Sequence, residues 1–450
     1  MEKPMALAKL VAARIQEKGG HAFLVGGCVR DLCLKQESKD FDMEIYGISE
    51  EKLVEVLQSW GPVDFVGRSF GVYKVHHLPM DFAFPRLEKK TQEGHRGFAV
   101  KVDPFLPMKE ASRRRDFTIN AMLMDPLSGE ILDFYGGKQD LQRGILRCVD
   151  QTTFPEDSLR VLRAAQFAAR LGFSIEEKTR ELCSRISLQD LPGERVMGEL
   201  EKALLQAERP SVFFEVLRRM NQLDPWFAEM HRLQQVPQRP DAHPEGDVWA
   251  HTMLVLNQAA RLRAQAHQPL ALMLAACAHD FGKPMVTQIH NGKITSYEHE
   301  RAGLAPAKAW MQRLRVANRT QEQVLSLVEN HMKPGAMYVF SARVSRTNLF
   351  LDRQPDPEDL LLLSQADYLG CGIGKDYTPV ARFWEQRLQL YRKTLAENPP
   401  PTGQELCHMG MVPGPKMGVC LKEARKLILC GQSRQSVLRQ IQYRLKKGKI

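Results

Sequence analysis

Phe23-Leu24-Val25-Gly26-Gly27-Cys28-Val29-Arg30-Asp31, followed by Lys39-Asp40-Phe41-Asp42-Met43-Glu44, is the stretch from which the rest of the chain is read. An apolar run enters a Gly-Gly turn, and a short helical segment, 29–35, leaves it. The second run reads as a strand, so Asp40 and Asp42 project from one face of a sheet. Two hard oxygen donors side by side suit Mg2+. The glycines, Gly27 among them, let a phosphate approach the backbone just before a helix start. A phosphate cradle beside paired carboxylates points to nucleotidyl transfer at a two-metal site.

The order G-G-x-V-R-D and then D-x-D resembles the head motif of the class II CCA-adding tRNA nucleotidyltransferase and bacterial poly(A) polymerase family. Downstream, 49–60 reads as a helix, with Leu53, Val54, Val56 and Leu57 apolar and Glu50 and Glu51 in its first turn. Strands at 72–76 and 80–84 place Asp81 as a third carboxylate on the same sheet. The resemblance implies that this acid activates the attacking RNA hydroxyl. Residues 86–110 are charged and glycine-punctuated and read as a mobile loop. The loop ends in Arg113-Arg114-Arg115-Asp116-Phe117-Thr118-Ile119-Asn120-Ala121, where arginines run straight into an apolar segment. A guanidinium fork suits a triphosphate. R-R-D-F-T-I-N-A is also similar to a family signature, and the resemblance makes Arg115 a nucleotide contact ordered by Asp116. It places Arg30 of the head motif in the same nucleotide-binding set. Glu110-Ala111-Ser112, just before the arginines, departs from the more acidic pattern of many relatives.

Phe154-Pro155-Glu156-Asp157-Ser158-Leu159-Arg160-Val161-Leu162-Arg163 opens a helix that runs to Gly172, with Glu156 and Asp157 in its first turn, where the dipole favours acids. Asp157 and Arg160, three apart, share a face, as do Arg160 and Arg163. A carboxylate accepts from the exocyclic amine of C or A, and an arginine donates to the ring nitrogen beside it. E-D-x-x-R resembles the family's template for choosing the incoming base, with Arg163 directed to the triphosphate. Further amphipathic helices at 194–205 and 211–220 match a helical neck in pattern.

A second constellation lies in 240–380. His251, the adjacent pair His279-Asp280 closing an apolar run, His299, His331 and Asp367 occur in that order. Imidazoles with carboxylates suit Mn2+, Ni2+, Zn2+ or Fe2+. The set resembles the HD phosphohydrolase superfamily and the C-terminal HD domain of some CCA-adding enzymes. By that resemblance His251, His279, Asp280 and Asp367 form the core metal site, and His299 and His331 support a second ion. The implied chemistry is metal-assisted phosphoester hydrolysis.

With 450 residues, two to four domains are expected. A net charge of +10 favours a polyanionic partner. No apolar run of about 18 residues exists, which argues against a membrane span. Nine scattered cysteines without C-x-x-C pairs argue for reduced thiols in the cytoplasm. The tail, 434–449, is basic, with Val437, Leu438, Ile441 and Leu445 at helical spacing. Either this stripe docks and turns charge toward RNA, or the helix is solvated.

The expected fold class is α+β: a polymerase-beta-like nucleotidyltransferase head at 1–147, an all-α neck at 148–235, an HD domain at 236–395 and a basic helical tail at 396–450. The resemblance implies template-independent addition of C and A to a tRNA 3′ end from CTP and ATP, releasing pyrophosphate. A-only or CC-only addition and poly(A) synthesis share the same motifs. Oligomeric state is left open. A nucleotide-signalling protein also joins transferase and HD modules, but the alarmone enzymes place HD first.

Overall fold

Apolar Phe41, Met43 and Ile45 alternate with Asp42 and Glu44, and this period-2 pattern sorts the strand's two faces. In the computed structural model the first three are buried and Asp42 faces out. The described residues are 2–38, 41–66, 71–76, 78–90, 98–372, 374 and 376–447; Asp40 lies outside them. The chain forms two units, residues 1–207 with 212–226, and residues 208–211 with 227–450. The expected neck segment, 148–235, contains the boundary at Trp226, while both helices expected within it end before that boundary.

The first unit is built on a seven-stranded mixed sheet. Its strands are β1 His21–Val25, β2 Phe41–Tyr46, β3 Val63–Val66, β4 Val72–Val75, β5 Met80–Ala83, β8 Leu123–Met124 and β9 Ile131–Leu132, in the order β3-β4-β5-β2-β1-β8-β9. Helices α1 Glu2–Glu17, α2 Gly27–Cys33 and α3 Glu50–Gln58 belong to the same unit. On α1, Val11 and Ile15, four apart, are buried, whereas Leu10 is exposed. β2 runs parallel to β5, with Asp42 opposite Asp81, and antiparallel to β1, with Val25 opposite Asp42. The register thus brings two acids and the entry to the Gly-Gly turn onto three neighbouring strands.

The stretch read as a loop holds regular structure. β6 Arg86–Lys90 and β7 Phe98–Val102 pair as an antiparallel ribbon, and α4 Met108–Arg113 follows. Phe98-Ala99-Val100-Lys101-Val102 alternates at strand period with β-branched residues. The charge density of the segment masks that pattern.

Beyond α5 Gly137–Arg143 and a parallel pair, β10 Ile145–Leu146 with β11 Ser174–Ile175, come α6 Leu159–Leu171, α7 Glu177–Arg185, α8 Gly193–Gln206 and α9 Ser211–Arg219. Glu156 closes a separate 3-10 turn, Phe154–Glu156, and Asp157 is extended (φ −117°). Neither acid therefore sits in the first turn of α6. Pro155 and the extended Asp157 delay the helix by one residue group, and the Asp157 carboxylate instead accepts from Leu159 N at 3.1 Å.

In the second unit the helices up to residue 369 are α10 Ala228–His231, α11 Val248–Leu262, α12 Pro269–Ala278, α13 Lys283–Val286, α14 His299–Ala302, α15 Leu304–Arg313, α16 Asn318–Asn330, α17 Met332–Val339, α18 Val344–Leu351 and α19 Pro357–Leu369, and α20 Thr378–Glu397, α21 Gly403–His408, α22 Pro415–Leu429 and α23 Arg434–Lys446 follow. A hairpin, Gln288–His290 with Lys293–Thr295, joins α13 to α14. Fully apolar α12 fills the centre, with residues 271–278 all buried. At the C-terminus Val437 and Ile441 pack on Leu406, Met417, Cys420 and Ile428. The tail stripe therefore docks, and the helix Arg434–Lys446 is not free-standing.

Candidate nucleotidyl-transfer site and metal centre

Gly26 ends β1 with φ +76°, a conformation that favours glycine. A Cβ there would stand 3.2 Å from Arg115 Nη1, so the guanidinium lies directly over the turn. Arg115 Nη2 approaches Glu44 Oε1 at 3.4 Å, and Tyr46 Oη donates to Glu44 Oε2 at 2.7 Å. Burial disfavours the charged guanidinium, but Glu44, Tyr46 and Asp42 outweigh it and raise its pKa. Glu44, two residues beyond Asp42 on the same strand face, is the residue that sequence reasoning missed. Carrying the alternation one step further, D-x-D-x-E, finds it.

Asp116 acts on Arg115 through its charge, while its hydrogen bonds go elsewhere. Its Oδ2 accepts from Arg163 Nε at 2.6 Å, and its Oδ1 from Asn120 Nδ2 at 3.0 Å and Phe117 N at 2.7 Å. Burial works against the carboxylate, yet Arg163 and Asn120 hold its pKa below the usual range. Arg163 also lies 3.8 Å from Glu199 Oε1 on α8. Arg30 is buried and bonded internally, its Nη1 donating to Asn120 Oδ1 at 2.8 Å and its Nε to Asp31 at 2.8 Å. Arg160 donates to the backbone carbonyls of Thr153 and Arg114. The Asp157 carboxylate accepts from Arg195 Nη2 at 3.1 Å, and its carbonyl accepts from Arg160 N at 3.1 Å. Asp81, opposite Asp42, pairs with Lys74 Nζ at 2.9 Å. The structure thus sets Arg115 over Gly26 and Arg30 beside Gly27, with Asp42 and Asp81 facing each other across β2 and β5, while Arg160 is held by the Thr153 and Arg114 carbonyls and Arg163 by Asp116. For the transfer metal the donor chemistry fits, since carboxylates at the ends of adjacent strands suit a hard cation.

The six residues of the second constellation come together in the second unit. His251 stands on α11, His279 caps α12, His299 opens α14, His331 joins α16 to α17, and Asp367 lies on α19. His279 Nδ1 meets Ala276 O at 3.0 Å, His299 Nδ1 meets Ser296 O at 2.9 Å and His331 Nδ1 meets Val328 O at 2.7 Å. A carbonyl only accepts, so each Nδ1 carries the proton and each Nε2 presents a lone pair inward. His251 Nδ1 is held by Glu245 Oε1 at 2.8 Å.

Inside, His251 Nε2 lies 2.9 Å from Asp367 Oδ1, and His279 Nε2 lies 3.2 Å from Asp280 Oδ2. Asp280 Oδ1 is 3.4 Å from His299 Nε2, and the His299 and His331 Nε2 atoms face each other at 3.4 Å. His279 Nε2 and both Asp280 oxygens are buried without a hydrogen-bond partner. Lys283 Nζ comes within 2.7 Å of Asp280 Oδ2 as an ion pair lacking hydrogen-bond direction. The lone pairs of His279 Nε2 and Asp280, converging with no hydrogen bond between them, fit a metal site, while His251 Nε2 hydrogen-bonds Asp367. The atoms fall into two triads, His251, His279 and Asp367, and Asp280, His299 and His331.

Burial and the neighbouring His279 push the His331 imidazole down to about 4. Burial opposes charge on His251 too, but Asp367 and Glu245 lift it to about 9. Asp367 is 20% exposed while Asp280 is 1% exposed, so the centre opens on the Asp367 side. Glu245 and Lys283 were not assigned roles from sequence. A contact that a residue makes with a ligand's second atom is invisible to spacing.

Gly282 lets the turn after Asp280 close on the backbone of His299, another member of its triad. A Cβ there would fall 1.9 Å from His299 O and 2.6 Å from Gly303 N, both backbone atoms. Gly282→Ala should destabilise the second unit by about 3 kcal/mol, an overpacking cost with no side chain free to yield. It should also lower bound divalent metal per chain. Denaturant unfolding with metal analysis checks this, and wild-type values on both would sink it.

Head and centre define a nucleotidyltransferase joined to an HD-type metal site. Residues 22–147 match the Poly A polymerase head domain, 172–233 the probable RNA and SrmB-binding site of polymerase A, and 248–370 the HD domain. The multifunctional CCA protein of Pasteurella multocida is 38% identical over 394 residues, 84% of this chain and 90% of the relative. That of Pseudoalteromonas atlantica is 36% identical over 366 residues, 77% and 85%. The chain belongs to the multifunctional CCA protein family, class II CCA-adding enzymes with an HD domain. In fold it is similar to the Bacillus stearothermophilus CCA-adding enzyme in complex with CTP (TM-score 0.66, 19% identity, 99% of this chain and 100% of that one). It is likewise similar to the Thermotoga maritima CCA-adding enzyme complexed with tRNA (TM-score 0.63, 19% identity, 98% and 95%). Among the described residues no helix is long and apolar enough to cross a membrane.

Proposed function

We infer that the head adds C and A to the 3′ end of tRNA from CTP and ATP, releasing pyrophosphate. The observation that carries this reading is Arg115 seated over the Gly26 turn beside Asp42 and Asp81, in a chain of the CCA family. Mg2+ held by Asp40 and Asp42 would polarise the α-phosphate and acidify the RNA hydroxyl. The chain's own residues do the rest. Arg115 binds triphosphate oxygens over the turn, exchanging its loose Glu44 contact for a phosphate. Asp81, on the neighbouring strand, receives the hydroxyl's proton.

Asp157 accepts the exocyclic amine of C or A, held by Arg195 and by its own bond to Leu159 N. Arg160 commits N–H donors to two carbonyls and offers the remainder of its five to the base's ring nitrogen. U and G present the reverse polarity and leave these groups unpaired. A site built on hydrogen bonds rejects such a mismatch by about 10⁴-fold.

In the second unit, a divalent transition metal, Mn2+, Ni2+, Zn2+ or Fe2+, on the two triads would supply Lewis acidity toward a phosphoester. Glu245 fixes the His251 ring, and Lys283 sets the Asp280 carboxylate.

The test supplies tRNAs ending before CCA, after C and after CC with each nucleotide in turn. Ordered C, C and A incorporation is expected; addition of A alone, of C alone, or of untemplated poly(A) would select the corresponding rival. In the same assay Asp157→Ala should relax discrimination against UTP and GTP more than it slows transfer. If kcat/KM falls equally for all four nucleotides, Asp157 is only a helix cap.

A further inference from the structure

Three arginines that sequence places near the nucleotide share a feature no motif shows: each is seated on an aromatic ring. Arg160 lies over Phe154 at 5.7 Å, and Arg30 and Arg163 both lie over Phe167 at 5.1 Å. The rings themselves form a ladder. Phe154 packs edge-on to Phe117 at 5.6 Å, and Phe117 to Phe167 at 5.9 Å with an 87° interplanar angle. All three phenylalanines are buried.

A polar path closes the same circuit. Arg30 donates to Asn120, Asn120 to Asp116, and Arg163 to Asp116. Arg30, Asn120, Asp116, Arg163 and Phe167 therefore form a closed ring of side chains from α2, the R-R-D segment and α6. Phe167 alone joins its two cations without a hydrogen bond.

We propose that Phe167 is a positioning residue for nucleotide binding, its ring fixing where the guanidiniums of Arg163 and Arg30 stand relative to the Gly26-Gly27 turn. This rests on the function proposed for the head. A guanidinium held over a ring keeps the in-plane N–H donors that its other partners do not take; Arg163 retains such donors beyond the one given to Asp116, whereas those of Arg30 are bonded to Asp31 and Asn120. An aliphatic side chain fills the volume but sets no direction. Asp116 bonds Arg163 at Nε and Glu199 lies 3.8 Å from its Nη1, and the Phe167 ring adds a third constraint from the apolar side.

The experiment uses the full chain with Phe167→Leu, Phe167→Met and Phe167→Tyr. Equilibrium binding of CTP and ATP is measured without tRNA, and KM and kcat are measured with tRNA ending in CC and lacking CCA. Loss of one such contact predicts about tenfold weaker CTP and ATP binding in the Leu and Met variants. The KM for tRNA should be unchanged, and Tyr should restore most of the binding. Wild-type nucleotide affinity in both aliphatic variants overturns the proposal. So does a Tyr variant as weak as Leu, or a loss explained by the unfolded fraction. Should Leu fail to fold, Met and Tyr give the same comparison. Normal CCA addition with unaltered nucleotide binding in the variants would remove this proposal alone. A wild type that adds neither nucleotide removes the function on which it rests.

Discussion

Asp42→Ala abolishes addition of both C and A, by on the order of 10³-fold or more, while tRNA binding and phosphoester hydrolysis persist. The size of the effect follows from position. Asp42 stands opposite Val25, where β1 enters the phosphate turn, and opposite Asp81 on β5. No other described carboxylate on β2 takes its place, because Glu44 is engaged with Tyr46 and Arg115. The fold should be spared, since Asp42 faces away from buried Phe41, Met43 and Ile45. Incorporation of CTP and ATP at the wild-type rate by Asp42→Ala, with Mg2+ as the only metal, would remove Asp42 from the mechanism. Asp40→Ala extends the test to the residue that lies outside the described structure.

Asp280→Asn has the second large effect. It keeps the shape of a fully buried side chain and removes the charge that both histidine triads face. Hydrolysis of a 2′,3′-cyclic phosphate should fall by on the order of 10²-fold or more, with bound metal reduced, because a ligand charge is lost from the centre. Addition of C and A should stay near normal. The hydrolase reading fails if wild type resupplied with Mn2+, Ni2+ or Zn2+ cleaves none of a panel of cyclic and linear phosphoesters.

What the sequence disclosed was whatever a local pattern dictates. Alternation gave β2 and its outward Asp42, and Gly-Gly before an apolar helix gave the turn. His-Asp at the end of an apolar run marked ligands where α12 stops. All six metal-centre residues were nameable because each carries its chemistry on its own type. Pairings across the fold were not legible. Asp116 adjoins Arg115 in the chain yet turns to Arg163, 47 residues away, while Arg115 turns back to Glu44. Adjacent residues at the end of a helix point in different directions, so neighbourhood in sequence did not give the hydrogen-bond partner. Arg160 was read by spacing from Asp157, but Pro155 and an extended Asp157 break the helical face that spacing assumes. The β6–β7 ribbon was hidden by charge, which reports solvation and not backbone conformation.

Three imidazoles of the metal centre take their orientation from main-chain carbonyls three residues earlier: Ala276 for His279, Ser296 for His299 and Val328 for His331. A carbonyl of the peptide chain is present whatever side chain is substituted there. Their tautomer and aim are therefore indifferent to mutation of the anchoring position. His251 is different: its Nδ1 answers to the side chain of Glu245, which also holds His243 Nδ1 at 2.8 Å. Substitution at Glu245 changes the electron-donating strength of one ligand without disturbing the other three. Three of the four imidazoles thus have main-chain bearings, and the fourth has a side-chain bearing that a substitution at Glu245 removes.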